Sequence, residues 1–155
     1  MRAATRLSLQ LAATFTLGLA AAPWLGRALP DAHAESAALQ PMIIDVAALT
    51  DADLNGSTGS DIRAKTYVAT DGATLGVQTG NAPKHFHAKS DEVQYIVEGS
   101  GTAWFGDKQV DIHPGMLLII PKGTNHGGTV PISGRFKALA IKIPPQQVGD
   151  TTAVK

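Results

Sequence analysis

The stretch Gly80-Asn-Ala-Pro-Lys-His85-Phe-His87-Ala-Lys-Ser-Asp-Glu92-Val-Gln-Tyr-Ile-Val-Glu-Gly99 decides how the rest of the chain is read. His85 and His87 are separated by one residue, so on an extended strand both imidazoles point to the same face. The polar run from Ala88 to Asp91 turns the chain and starts a second strand at Glu92. Two imidazoles and a carboxylate then converge from adjacent strands, a ligand set that suits a divalent transition metal with open positions. A fourth candidate is His126, in Gly115-Met-Leu-Leu-Ile-Ile-Pro121-Lys-Gly123-Thr-Asn-His126.

On both sides of this stretch the pattern is β. Arg63 to Ala69 is followed by the two-residue hairpin signal Asp71-Gly72 and then by Ala73 to Thr79. Glu92 to Val97 ends at Gly99-Ser-Gly101, and Thr102 to Phe105 turns at Gly106-Asp107 into Gln109 to Ile112. Met116 to Ile120 lies between His113-Pro-Gly115 and Pro121-Lys-Gly123. His126 opens the next strand, and Phe136 to Ile143 forms another that Pro144-Pro145 stops. Short, regularly spaced strands with Gly and Pro turns predict an all-β, antiparallel sandwich or barrel, in one domain over residues 61–145. Residues 35–60 read as an N-terminal extension, with Met42 to Val46 as a candidate edge strand and one helical turn capped by Thr50. Asn55-Gly-Ser57 matches a glycosylation sequon, as short matches in Gly/Ser loops do by chance. The polar tail 146–155 is expected to be flexible.

The first 34 residues have a different character. Arg2 and Arg6 precede the uncharged run Leu7 to Gly26, and Ala32-His33-Ala34 is a small-x-small signal ahead of Glu35. This is the layout of a secretory signal peptide over residues 1–34, and it predicts a periplasmic or secreted protein. Pro23 and Arg27 interrupt the end of the run, which weighs against a retained anchor. The whole chain balances 13 basic against 13 acidic residues. Cleavage removes Arg2, Arg6, Arg27 and Asp31 and leaves ten basic against twelve acidic. With no Lys/Arg cluster remaining, neither nucleic acid nor a membrane is expected as a partner. The chain has no cysteine, which excludes a thiolate ligand or nucleophile.

The segment Gly80–Gly99 resembles the first motif of the cupin family: Gly, then His-x-His, then Glu after four residues, then Gly after six more. Gly115, Pro121, Gly123 and His126 are similar to the second cupin motif. Two positions depart from it: four rather than five residues separate Gly80 from His85, and Val130 stands where the usual Asn falls. The resemblance spans roughly Arg63 to Ile143 and is to small single-domain cupins. It implies an antiparallel jelly-roll β-barrel with a metal held by His85, His87, Glu92 and His126. Three nitrogens and one carboxylate suit Fe or Mn first, then Ni, Co or Zn, over the oxygen-loving Ca and Mg. Four protein ligands in an octahedral site leave two positions open, whereas a structural site is closed and tetrahedral.

Parity extends the reading to the surroundings of the site. Gln94 and Ile96 share the face of Glu92, so Gln94 is the candidate polar neighbour of the metal or substrate. Trp104, Tyr67 and Phe136 are candidate apolar walls of a substrate pocket. Val93, Tyr95 and Val97 point the other way, toward a second copy in a homodimer. His113 reads as a surface turn residue and Lys84 as a solvated one. The expected activity is dioxygenase-type chemistry on a small bidentate substrate. The alternatives are a non-catalytic ligand- or metal-binding module, and a metal-assisted isomerase or decarboxylase. The last would need a proton-transfer group in the pocket, and none is evident among the strand residues.

Overall fold

Alternating apolar and polar residues punctuated by Gly and Pro give nine strands in the computed structural model, which describes residues 38–56 and 61–155. The signal-peptide reading of 1–34, the start of the N-terminal extension and Ser57 of the sequon lie outside the described residues. The strands are β1 (Asn55–Gly56), β2 (Arg63–Ala69), β3 (Thr74–Thr79), β4 (His85–His87), β5 (Asp91–Phe105), β6 (Lys108–Ile112), β7 (Leu117–Ile120), β8 (His126–Ile143) and β9 (Thr151–Ala153). All pairings are antiparallel, and the sheet curls into a jelly-roll β-barrel.

Two strands form the spine. The expected breaks at Gly99–Gly101 and between the strands begun at His126 and Phe136 bend the chain without ending it, so β5 runs for 15 residues and β8 for 18. They pair along almost their whole length, with register shifts between Ile96 and Glu98, Glu98 and Ser100, Ser100 and Gly101, and Thr102 and Trp104. Such irregularities increase twist and let one strand serve both halves of a barrel. Gly99 makes the closest approach: its φ is +82°, and a Cβ there would sit 2.8 Å from both Arg135 O and Phe136 Cα. Only glycine fits that conformation and that gap.

Inside, Ala103, Ile112 and Phe136 form a buried cluster, with Val110, Met116 and Leu118 packed against it. The N-terminal extension is tied to β3 and β8. The Thr79 hydroxyl donates to Asp51 Oδ1 at 2.6 Å, and Lys137 Nζ donates to Ala47 O at 2.8 Å. The expected helical turn is a 3-10 turn over Asp51–Asp53, where the Thr50 N–H and hydroxyl each donate to Asp53 Oδ2 at 2.8 Å.

Two expectations are corrected. Met42–Val46 is not a strand: the sheet edge beside Arg63 and Ala64 is taken by β1, which leaves Met42 and Ile43 exposed. The tail 146–155 is not free either, because Thr151–Ala153 pairs with all three residues of β4. β4 would otherwise leave an edge of unpaired backbone groups, and the tail covers it.

Candidate metal centre

The site is assembled from three strands. His85 and His87 share one face of β4, and His85 is paired directly with His126 at the start of β8. Glu92 lies near the start of β5, between Ile120 of β7 and Lys142 of β8. Each of His85, His87, Glu92 and His126 offers a ligand atom, and all four atoms fall within 4.8 Å of one another. His87, Glu92 and His126 are buried, and the Glu92 carboxylate is 1% exposed. Gly127 follows His126 with φ of +78°, and a side chain there would crowd the His85 ring.

The outer nitrogens of the rings settle which inner nitrogens are free. A carbonyl oxygen only accepts, so His85 Nδ1 donates to Pro83 O at 2.7 Å and His126 Nδ1 donates to Thr124 O at 2.9 Å. His87 Nδ1 lies 3.4 Å from Asp150 Oδ2 and 3.3 Å from Thr151 Oγ1. In neutral His85 and His126 this leaves Nε2 with a lone pair directed at the centre, and the Asp150 carboxylate beside His87 Nδ1 favours the same tautomer there. Tethering the far ring nitrogen in this way orients a metal-binding imidazole and fixes its tautomer.

The donor set fits a cation. His126 Nε2 and His87 Nε2 lie 3.0 and 3.1 Å from Glu92 Oε2, so two imidazoles and a carboxylate crowd one buried point. Burial alone would raise the Glu92 carboxyl. The contacts from His126, His87, Lys142 and Gln94 outweigh burial and hold it well below the usual carboxylate range. Burial pushes the His85 imidazole down to about 4, so this ring is neutral and able to ligate at pH 7.

Lys142 is the residue that sequence reasoning missed. Its Nζ lies 2.8 Å from Glu92 Oε2 and 2.7 Å from His87 Nε2, donating to both. Burial lowers its pKa against the opposing pull of Glu92. The alternation in Phe136–Ile143 puts Ala138, Ala140 and Lys142 on one face, and the small Ala residues mark the inner one. That signal was present in the sequence, but the placement opposite Glu92 depends on the β5–β8 register.

Asp150, in the tail, is likewise unanticipated. It is 1% exposed, and its Oδ1 accepts the Lys89 N–H at 2.6 Å. Burial opposes its ionisation, but that hydrogen bond and its charged neighbours keep its pKa below the ordinary value.

The other expected residues separate into two groups. Gln94 Nε2 donates to Glu92 Oε1 at 2.9 Å, which places it beside the centre. Gln94, Trp104 and Phe136 line a narrow cavity of about 40 Å³ together with His85, Ile96 and His126. Lys84 is not simply solvated, since its Nζ sits 3.7 Å from the centroid of the Trp104 ring. Tyr67 is not in the cavity wall. It occupies the register shift between Thr66 and Val68 in β2, and its ring lies under Lys65 Nζ at 5.3 Å. A bulge re-aims the extra residue, so the parity count fails there. His113 is an exposed turn residue.

Comparisons with known proteins agree with this architecture. Residues 73–142 match the family profile described as a cupin domain. Among solved structures, the nucleoside dehydratase Pac13 of Streptomyces superposes with a TM-score of 0.53 at 18% identity, over 68% of this chain and 88% of that one. A conserved Klebsiella pneumoniae protein with a double-stranded β-helix domain superposes with a TM-score of 0.58 at 15% identity, over 75% of this chain and 99% of that one. Ectoine synthase from P. lautus gives 0.54 at 14% identity, over 76% and 91%. At these identities the likeness concerns the fold. No curated protein matches the sequence.

Proposed function

From the match of residues 73–142 to a cupin domain, we propose that the chain is an exported metal-binding cupin that uses His85, His87, Glu92 and His126 to hold a divalent transition metal, Fe or Mn first. The observation that carries the reading is the convergence of four ligand atoms within 4.8 Å. When bound, such a metal would supply redox or Lewis-acid chemistry. The chain's own contribution is orientation and exclusion of water. Gln94 holds Glu92 Oε1, and Ile96, Trp104 and Phe136 form a largely apolar wall beside the ligands. A cavity of about 40 Å³ there has room for a diatomic molecule or very few waters, which is compatible with O2 as one reactant of dioxygenase-type chemistry.

Metal analysis of the purified protein and of His87→Ala tests this reading. We expect near one equivalent in the first and none in the second, with O2 consumption on diketone, catechol or acid substrates. Full metal content in the variant would overturn the assignment. Tight ligand binding without turnover would favour a non-catalytic binding module. A second catalytic reading, a metal-assisted isomerase or decarboxylase, gains from one observation: the inward Lys142 is the proton-transfer group that such chemistry requires.

Export rests on residues 1–34, and mature protein beginning at Glu35 by N-terminal sequencing would support it. Pairing of two copies rests on the outer face of the β5–β7 pair, where Tyr95, Leu117 and Ile119 are 44, 62 and 56% exposed.

A further inference from the structure

We propose that Lys142 is an internal cation that competes with the metal for Glu92 and His87, and that a small carboxylate bound in the adjoining cleft draws it away. Anion and metal would then bind cooperatively. The inference rests on the metal-centre reading above.

Three observations carry it. First, Lys142 Nζ already touches two of the four ligand groups, at 2.8 Å from Glu92 Oε2 and 2.7 Å from His87 Nε2. A metal bonds such atoms at about 2.0–2.2 Å, so ammonium and metal cannot share them. Second, Lys142 also lines a cleft of about 390 Å³ on the side of β3 and the tail, a volume within the range of small-molecule sites. Third, that cleft is lined by Lys65, Lys142, Gln78, Gln146 and Gln147 among its polar residues, and by no Asp or Glu. Its charged lining groups are cationic donors, and the three glutamine amides add further N–H groups, which is an environment for an anion.

Charge pairing then links the two events. With metal alone at the centre, the displaced ammonium would be left in a largely buried position without its carboxylate. With an anion alone in the cleft, Glu92 would lose its cation. When both bind, Glu92 pairs with the metal and Lys142 pairs with the anion, so no buried charge is left without a partner. Thermodynamic linkage makes the effect reciprocal: the anion tightens metal binding by the same factor as the metal tightens anion binding.

The test is calorimetric titration of the mature chain with Mn(II), with and without saturating propionate, in the wild type, Lys142→Met and Lys142→Gln. In the wild type, propionate should tighten Mn(II) binding by about 5- to 150-fold. Both variants should bind Mn(II) more tightly than the unaided wild type and show no response to propionate. Equal Mn(II) affinity in wild type and variants would overturn the competition. An equal propionate effect in the variants would overturn the coupling, because the anion would then act as a metal ligand. If neither variant folds, the wild-type pair of titrations decides, and a Mn(II) affinity unmoved by propionate overturns the proposal. Absence of Mn(II) binding in every protein would remove the metal-centre reading itself.

Discussion

Replacing Asp150 by Asn should weaken metal binding by about 10- to 100-fold, or about 1.4–2.7 kcal/mol, although Asp150 is not itself a ligand. The reasoning follows from single atoms. Asp150 Oδ1 accepts the Lys89 N–H at 2.6 Å, and an Asn carbonyl can keep that bond. Oδ2 faces His87 Nδ1 at 3.4 Å, and in Asn an NH2 group would take its place. Two donors would then confront each other, and the imidazole relieves the conflict by moving its proton to Nε2. The lone pair that should meet the metal is lost in that tautomer. A competition titration of Zn(II) against a chromophoric chelator reads the affinity. Thermal melts in chelator read the cost to the fold, about 1 kcal/mol for a charged acceptor made neutral. An unchanged affinity with β9 still in place would refute the claim that the tail sets the His87 tautomer.

Acidification should destabilise the metal-free protein. His85 protonates near 6.5 when unfolded and near 4 when folded, so the unfolded chain binds more protons between those values. Stability is complete above pH 6.5 and is lost toward pH 4. Urea melts should show about 1–2 kcal/mol less at pH 5 than at pH 7, after allowance for partial solvent screening of the ring. Stability that stays flat or rises would contradict the burial of a neutral His85. Gly99→Ala should cost about 2–4 kcal/mol in the same assay, since alanine meets both a left-handed φ and the backbone of β8. A cost below about 0.5 kcal/mol would show that β5 and β8 can part there. Tyr95→Glu should shift sedimentation from dimer to monomer, whereas a wild type that is monomeric at high concentration would exclude the outer face as an interface.

How much was legible in advance follows from the range of each signal. The His85/His87 parity, the turns at Asp71-Gly72 and Gly106-Asp107, and the apolar run in β7 are local, so one strand's alternation was enough to read them. Gln94 was legible for the same reason, two residues from Glu92 on the same strand. The local reading failed where a bulge broke the alternation, at Tyr67, and where glycines bent strands that they were expected to end.

The sequence by itself determined an all-β chain with three imidazoles and one carboxylate in an order that suits one site. Only the tertiary structure decided what surrounds them: Lys142 opposite Glu92, and Asp150 behind His87. These partners are 50 and 63 residues apart in the chain. Alternation says which face of a strand a side chain occupies, but the register between distant strands is set by closure of the whole sheet.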